Sequence, residues 1–262
     1  MDLSFNTLIL DQDGAVATIT LNRPDKRNAI TTQMIDELQA ALTEVDKSAA
    51  QVTILTGAGK AFCAGMDLEG LRAISTQSAE ENLAETRRMA GMFRRLWAFP
   101  KPLIAAVNGA AIAGGCGFAT LCDFTLAVPE ASFGYTEVRI GFLPAIVSVF
   151  LRRQVGDKVV RDLLLTGRVV TTEEAFRLGL VTEIVTAANL LGRARQLADA
   201  LLANSPSSLL RTKYLLRRYE ESYVDRELEW AIAENAASRT TADFREGLTA
   251  FLEKRKPTWS GR

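Results

Sequence analysis

Histidine is absent from this chain. Without it there is no Ser/His/Asp or Cys/His nucleophile pair, no imidazole acid/base and no common zinc site built on histidine. Any proton transfer falls to a carboxylate, a tyrosine, a lysine or water. Cysteine is scarce. Cys63, Cys116 and Cys122 are odd in number, lie among small apolar neighbours and lack paired ligand spacing, so neither a disulfide framework nor a thiolate metal site is indicated. Excess charge is missing too: 31 basic side chains balance 31 acidic ones without a basic block, which leaves no electrostatic footprint for nucleic acid. No apolar run reaches the length of a membrane-spanning helix, and Met1–Asp13 has neither the basic nor the apolar region of a signal peptide. The expectation is a cytoplasmic protein with no membrane partner.

What is present is ordinary for a large globular core: 48% apolar and 24% charged residues over 262 positions. Thr7–Asp11 and Val16–Leu21 read as a hairpin around Gly14, ended by Asn22-Arg23-Pro24-Asp25. From Thr31, a plausible N-cap, Met34, Ile35, Leu38, Leu42 and Val45 recur at helical spacing. Val52–Thr56, Leu103–Val107 and Phe124–Val128 read as buried strands. A polar stretch, Ile74–Glu85, precedes a helix expected over Thr86–Phe99, and a short helix is expected from Gly114 to Leu121. Strands alternating with helices favour a parallel sheet with crossover helices. From about Ala188 the pattern is helical, with breaks at Asn204-Ser205-Pro206 and Thr240-Thr241. This divides the chain into an α/β body, residues 1–190, and a helical region, 191–262.

The glycine clusters fail as nucleotide motifs, because neither Gly57-Ala58-Gly59-Lys60 nor Gly114, Gly115 and Gly117 has the spacing of a phosphate loop or dinucleotide fingerprint. Two similar events remain, at Phe62-Cys63-Ala64-Gly65-Met66-Asp67 and at Ala113-Gly114-Gly115-Cys116, each a glycine turn leading from a strand toward a helix. Amides freed at such turns can bind a developing oxyanion if both face one point. The same glycines would also serve tight helix-to-sheet packing.

Glu137, in Phe133-Gly134-Tyr135-Thr136-Glu137-Val138, is flanked by apolar and glycine-rich sequence that could desolvate it toward a catalytic pKa. The alternative is an ion pair with Arg139 or another basic neighbour. Asp67 and Asp123 suit helix capping. The stripe Ile146, Val149, Phe150 suits core or subunit interface rather than an acyl tunnel.

Taken in order, Lys26-Arg27-Asn28-Ala29, Gly57-Ala58-Gly59-Lys60-Ala61-Phe62-Cys63-Ala64-Gly65-Met66-Asp67-Leu68, Lys101-Pro102-Leu103-Ile104-Ala105-Ala106-Val107-Asn108-Gly109, Gly114-Gly115-Cys116, Cys122-Asp123, Leu165-Thr166-Gly167 and Phe251-Leu252-Glu253-Lys254-Arg255 resemble the enoyl-CoA hydratase/isomerase (crotonase) family. The resemblance spans nearly the whole chain. It implies an α/β fold, a crotonase-like spiral of repeated ββα units with a C-terminal helical trimerisation region, assembled as a homotrimer or dimer of trimers. It implies an oxyanion hole from the N–H groups of Met66 and Gly114, with Glu137 as acid/base. It also implies a coenzyme A thioester as substrate, received around Lys26, Ala29, Phe62 and Ala64, with Phe251 and Lys254 of a neighbouring subunit closing over the nucleotide. No metal or redox cofactor is implied.

The chain departs from the family at one position that matters. Hydratases of the family place a first glutamate just after the Gly-Gly-Cys segment, where this sequence has Gly117. The remaining Glu137 suits a Δ3,Δ2-enoyl-CoA isomerase, whereas the stretch Gly134–Ser148 resembles bacterial members classed as hydratases, some of methylglutaconyl type. The expectation is therefore a hydratase-type lyase acting on 2-enoyl-CoA or 3-hydroxyacyl-CoA thioesters, with the isomerase and a non-catalytic acyl-CoA-binding protein as alternatives. RNA binding through a lysine-rich helix is not expected, since Thr31–Lys47 carries only Lys47.

Overall fold

The computed structural model describes residues 4–74 and 76–262, so Met1–Leu3 and Ser75, which fall within two segments read above, lie outside the described residues. The strands are β1 (Leu8–Asp13), β2 (Val16–Leu21), β3 (Val52–Gly57), β4 (Ala61–Cys63), β5 (Leu103–Val107), β6 (Ala110–Ile112), β7 (Phe124–Ala127), β8 (Ser132–Gly134), β9 (Val169–Thr171) and β10 (Glu183–Ile184). They form two sheets, ordered β1-β2-β3-β5-β7-β10 and β4-β6-β8-β9. β1 and β2 are the expected antiparallel hairpin, with Gly14 in the left-handed region at its tip. From β2 to β10 the large sheet is parallel, as is β4-β6-β8 in the small one. β3 and β5 are buried along almost their whole length, the near-continuous apolar run of a strand covered on both faces.

The helices are α1 (Thr32–Lys47), α2 (Leu68–Ile74), α3 (Ala79–Trp97), α4 (Gly114–Thr120), α5 (Ala145–Leu151), α6 (Asp157–Thr166), α7 (Thr172–Arg177), α8 (Leu190–Leu202), α9 (Pro206–Ser238) and α10 (Ala242–Glu253). Three successive passes of the chain each place one strand in the large sheet and one in the small sheet before a helix: β3-β4-α2/α3, β5-β6-α4 and β7-β8-α5. That repeat is the ββα spiral.

Thr31 caps α1 through its side chain, as expected, and the predicted apolar positions form the buried face. The helix expected from Thr86 instead begins at Ala79, because Ser78 and Glu81 bond each other's backbone in a reciprocal capping box. The polar stretch is thus largely the first turns of α3. Ser205 and Thr241, at the expected breaks, cap α9 and α10. α8 buries Ala194 and Ala198 in the main core and packs on β3 and β5, so the helical region begins by completing the body. α9 runs along α3 and α5, and α10 packs on the turn Glu137–Ile140. Leu71 and Ile74 of α2 cluster there with Phe244 and Leu248 of α10.

Candidate active site

The two glycine turns end neighbouring strands. β4 pairs with β6 in parallel, Cys63 opposite Ala111, and the chain leaves both strands on the same side. Gly65 lies against the other turn, where an added Cβ would sit 3.1 Å from the Ile112 carbonyl oxygen and 3.2 Å from the Ala113 Cβ. Its φ of +86° is one that L side chains rarely adopt. Ala113 adopts φ 51°, ψ −123°, an unfavourable conformation for a residue with a Cβ, and thereby swings Gly114 to the start of α4. On the first turn the Gly65 carbonyl accepts from Ile30 N–H and the Asp67 N–H donates to the Ile30 carbonyl, which leaves the Met66 N–H pointing away from that bridge. Neither Met66 N–H nor Gly114 N–H donates to an acceptor among the described residues.

Both residues line one cavity of about 740 Å³, and Glu137 lines it as well. Glu137 opens a 3-10 turn whose end, Gly141, is in the left-handed region, and the Phe142 N–H closes the turn on the Glu137 carbonyl. The side chain is buried, and its Oε2 has no hydrogen-bond partner among the described residues. Burial pushes the carboxyl up to about 7, against an opposing hydrogen bond from its own backbone amide. The ion pair with Arg139 considered from sequence is not formed; among the described residues no cation bridges Glu137.

Lys26, Ala64, Phe251 and Lys254 line the same cavity. Asn28, fully buried, shapes the loop at its mouth: its Oδ1 accepts from Arg23 N–H and its Nδ2 donates to the Ala58 and Ala61 carbonyls. Phe251, in α10, and Lys254, the residue just past its end, reach the cavity from this same chain. Ala29 and Phe62 are not on the cavity wall, because Phe62 is fully buried in the core and the Ala29 carbonyl is occupied by Arg23. Asp67 does cap the start of α2, accepting from Glu69 N–H, and it pairs with Arg23 at 2.9 Å. Although burial pushes its carboxyl up, those partners hold it below the ordinary value. Asp123 caps no helix; it accepts from Leu103 N–H and from Lys213. Ile146 lines the cavity as well as the core, so the α5 stripe does contribute to the pocket.

Residues 11–262 match the family model described as enoyl-CoA hydratase/isomerase. The chain belongs to the enoyl-CoA hydratase/isomerase family. A putative enoyl-CoA hydratase of Thermus thermophilus is 43% identical over 247 residues, covering 94% of this chain and 98% of that one. The short-chain-enoyl-CoA hydratase of Clostridium acetobutylicum is 34% identical over 97% of each chain. Among solved structures, an enoyl-CoA hydratase/isomerase from Xanthobacter autotrophicus Py2 superposes with a TM-score of 0.88 at 30% identity, covering 96% of this chain and 98% of that one.

Within this family member, Gly117, the position where the resemblance implies a glutamate, is closely covered by side chains. A Cβ there would lie 2.3 Å from the Phe93 ring edge and 3.2 Å from Val147. Phe93 is itself packed between rings, tilted against Phe118 and stacked on Phe150 at centroid distances of 5.3 and 6.3 Å. The sequence reading missed Phe93, Thr86, Asn235 and Arg239, all on the cavity wall. Only helical phase along α3 and α9 could have pointed to them, and it does not say which buried positions face a void.

Proposed function

We propose that the chain is a hydratase-type lyase of 2-enoyl-CoA thioesters that works with one carboxylate. The observation that carries the reading is the unpaired, buried Glu137 in the same cavity as the two acceptor-free amides of Met66 and Gly114. The thioester carbonyl oxygen binds Met66 N–H and Gly114 N–H, donors whose strength grows in a cavity that excludes water. Ionised Glu137 takes a proton from water as the water oxygen adds to the β-carbon. The double-bond electrons shift to the enolate held on the two amides. The same carboxyl, now protonated, delivers its proton to the α-carbon, and the carboxylate is regenerated. A carboxyl near 7 is matched to both halves of this cycle at neutral pH.

The names of relatives favour hydration. Phe93 over Gly117 favours a second reading, since it fills the space where a water-positioning second carboxylate would start. In a Δ3,Δ2-isomerase, Glu137 alone would remove an α-proton from a 3-enoyl-CoA and return it at the γ-carbon. Glu137→Gln assayed with crotonyl-CoA and with a 3-enoyl-CoA tests both. Full turnover retained on every productive substrate removes Glu137 from the mechanism, and tight thioester binding without turnover by the unaltered protein would make it a binding protein.

A homotrimer or dimer of trimers goes with this reading. Leu216, Tyr219, Tyr223 and Trp230 recur on one side of α9 and are exposed in the single chain, with Arg226 over both the Tyr223 and Trp230 rings. Light scattering of the intact chain would report the number of copies.

A further inference from the structure

The cavity wall is apolar at Met89, Phe93, Phe142 and Ile146 and polar at Thr86, Asn235 and Arg239. Arg239 is the unusual member, a guanidinium only 4% exposed at the end of α9. Its Nε donates to Asn235 Oδ1 at 3.3 Å, and its Nη1 donates to Asn82 Oδ1 at 3.2 Å and to Glu85. The group lies over the Phe142 ring at 5.4 Å from its centroid. Asn235 and Thr86 are committed elsewhere: Asn235 Nδ2 donates to the Leu143 carbonyl at 3.1 Å, and Thr86 Oγ1 to the Asn82 carbonyl at 2.8 Å. Asn235 Oδ1, which Thr86 Oγ1 also approaches at 3.2 Å, holds the Nε edge of the guanidinium. Nη2, with two N–H groups, has no hydrogen-bond partner among the described residues.

A tie between α3 and α9 would be complete with Nε and Nη1. The leftover donor pair is open to an acceptor arriving from the cavity that Arg239 lines. The planar fork of arginine suits one acceptor in particular, a carboxylate. We propose that Arg239 recognises a carboxylate at the far end of the acyl group, so that the thioesters taken by this chain carry an ω-carboxylate rather than a terminal methyl. Resting on the thioester reading above, this names the substrate class of that same site. Glu85 holds the guanidinium from its other edge and competes with the incoming anion by charge. Removing that charge while keeping the hydrogen-bonding shape therefore strengthens the tail preference.

The test measures binding of unreactive saturated thioesters by calorimetry, in matched pairs of four to eight carbons ending in methyl or carboxylate, with the carboxylate methyl ester as a third arm. The intact protein binds the carboxylate-ended member at least about tenfold more tightly than its methyl partner at the length that binds best. Glu85→Gln widens that ratio, and Arg239→Gln reduces it to near one while methyl-ended binding persists. Equal or tighter binding of the methyl-ended thioester, an ester that matches the carboxylate, or a ratio unmoved by Glu85→Gln overturns the proposal. Because Glu85→Gln keeps Arg239 in place, a fold lost in Arg239→Gln leaves the test intact. Saturated thioesters undergo no hydration or isomerisation, so a tail preference without turnover of enoyl substrates would count against the catalytic reading alone.

Discussion

The ring of Phe93 stands over Gly117 so closely that a Cβ at that position would lie 2.3 Å from the ring edge. A glutamate at 117 therefore requires the Phe93 ring to move. Gly117→Glu is expected to lower stability by about 1–3 kcal/mol, the usual cost of overpacking, without raising crotonyl-CoA hydration. Paired with Phe93→Ala, which opens the space, the same glutamate is expected to raise hydration by about tenfold or more. Chemical denaturation and initial rates on both variants check this.

Replacing Glu137 by glutamine should lower kcat by about a hundredfold or more while leaving KM within a few-fold, since it removes a proton carrier and keeps the shape.

The same variant should alter stability with a definite sign. Burial holds the folded carboxyl at about 7, above the ordinary 4.5, so the folded state binds more protons than the unfolded state between those values. The unaltered protein therefore loses stability as pH rises from 4.5 to 7, by at most about 3 kcal/mol from this group. Glu137→Gln removes that loss. Its melting temperature is expected to exceed the parent's at pH 8 and to match it near pH 4.5. A parent more stable at pH 8 would contradict the burial argument.

Catalysis needs the ionised form first. For the free enzyme, kcat/KM is expected to rise with pH through a midpoint near 7 and then level off. A rate profile flat from pH 5 to 8 would place the base elsewhere.

Gly65→Ala tests whether the two turns depend on each other. It puts a methyl 3.2 Å from Ala113 at a backbone φ of +86°. The expected result is a loss of about 1–2 kcal/mol in stability, with a fall in kcat larger than any rise in KM as the amides of Met66 and Gly114 move apart.

Local signals made much of this legible in sequence. The hairpin around Gly14, the α1 face from Met34 to Val45 and the breaks at Ser205 and Thr241 are set by neighbours in the chain. The start of α3 is not legible in the sequence, because polar residues at 78–81 read as loop when they are a capping box. At the site, Met66, Gly114 and Glu137 were identifiable by type, spacing and resemblance, but their meeting in one cavity depends on β4 pairing with β6, a long-range relation. The resemblance implies a ligand role for the segment from Phe62 to Ala64, and within it the Phe62 ring belongs to the core. Arg239 was passed over because a charged residue at a helix end ordinarily faces solvent, and only the packing of α9 on α3 turns it inward.

The most direct measurement is exchange of the α-protons of a saturated acyl-CoA in deuterated water, followed by NMR, for the parent protein and Glu137→Gln. It reports carbon–hydrogen proton transfer beside a bound thioester oxygen, whether the net reaction is hydration or isomerisation. The account predicts exchange by the parent, accelerating as pH rises toward 8, and its loss in the variant that still binds the thioester. Undiminished exchange in Glu137→Gln would contradict it.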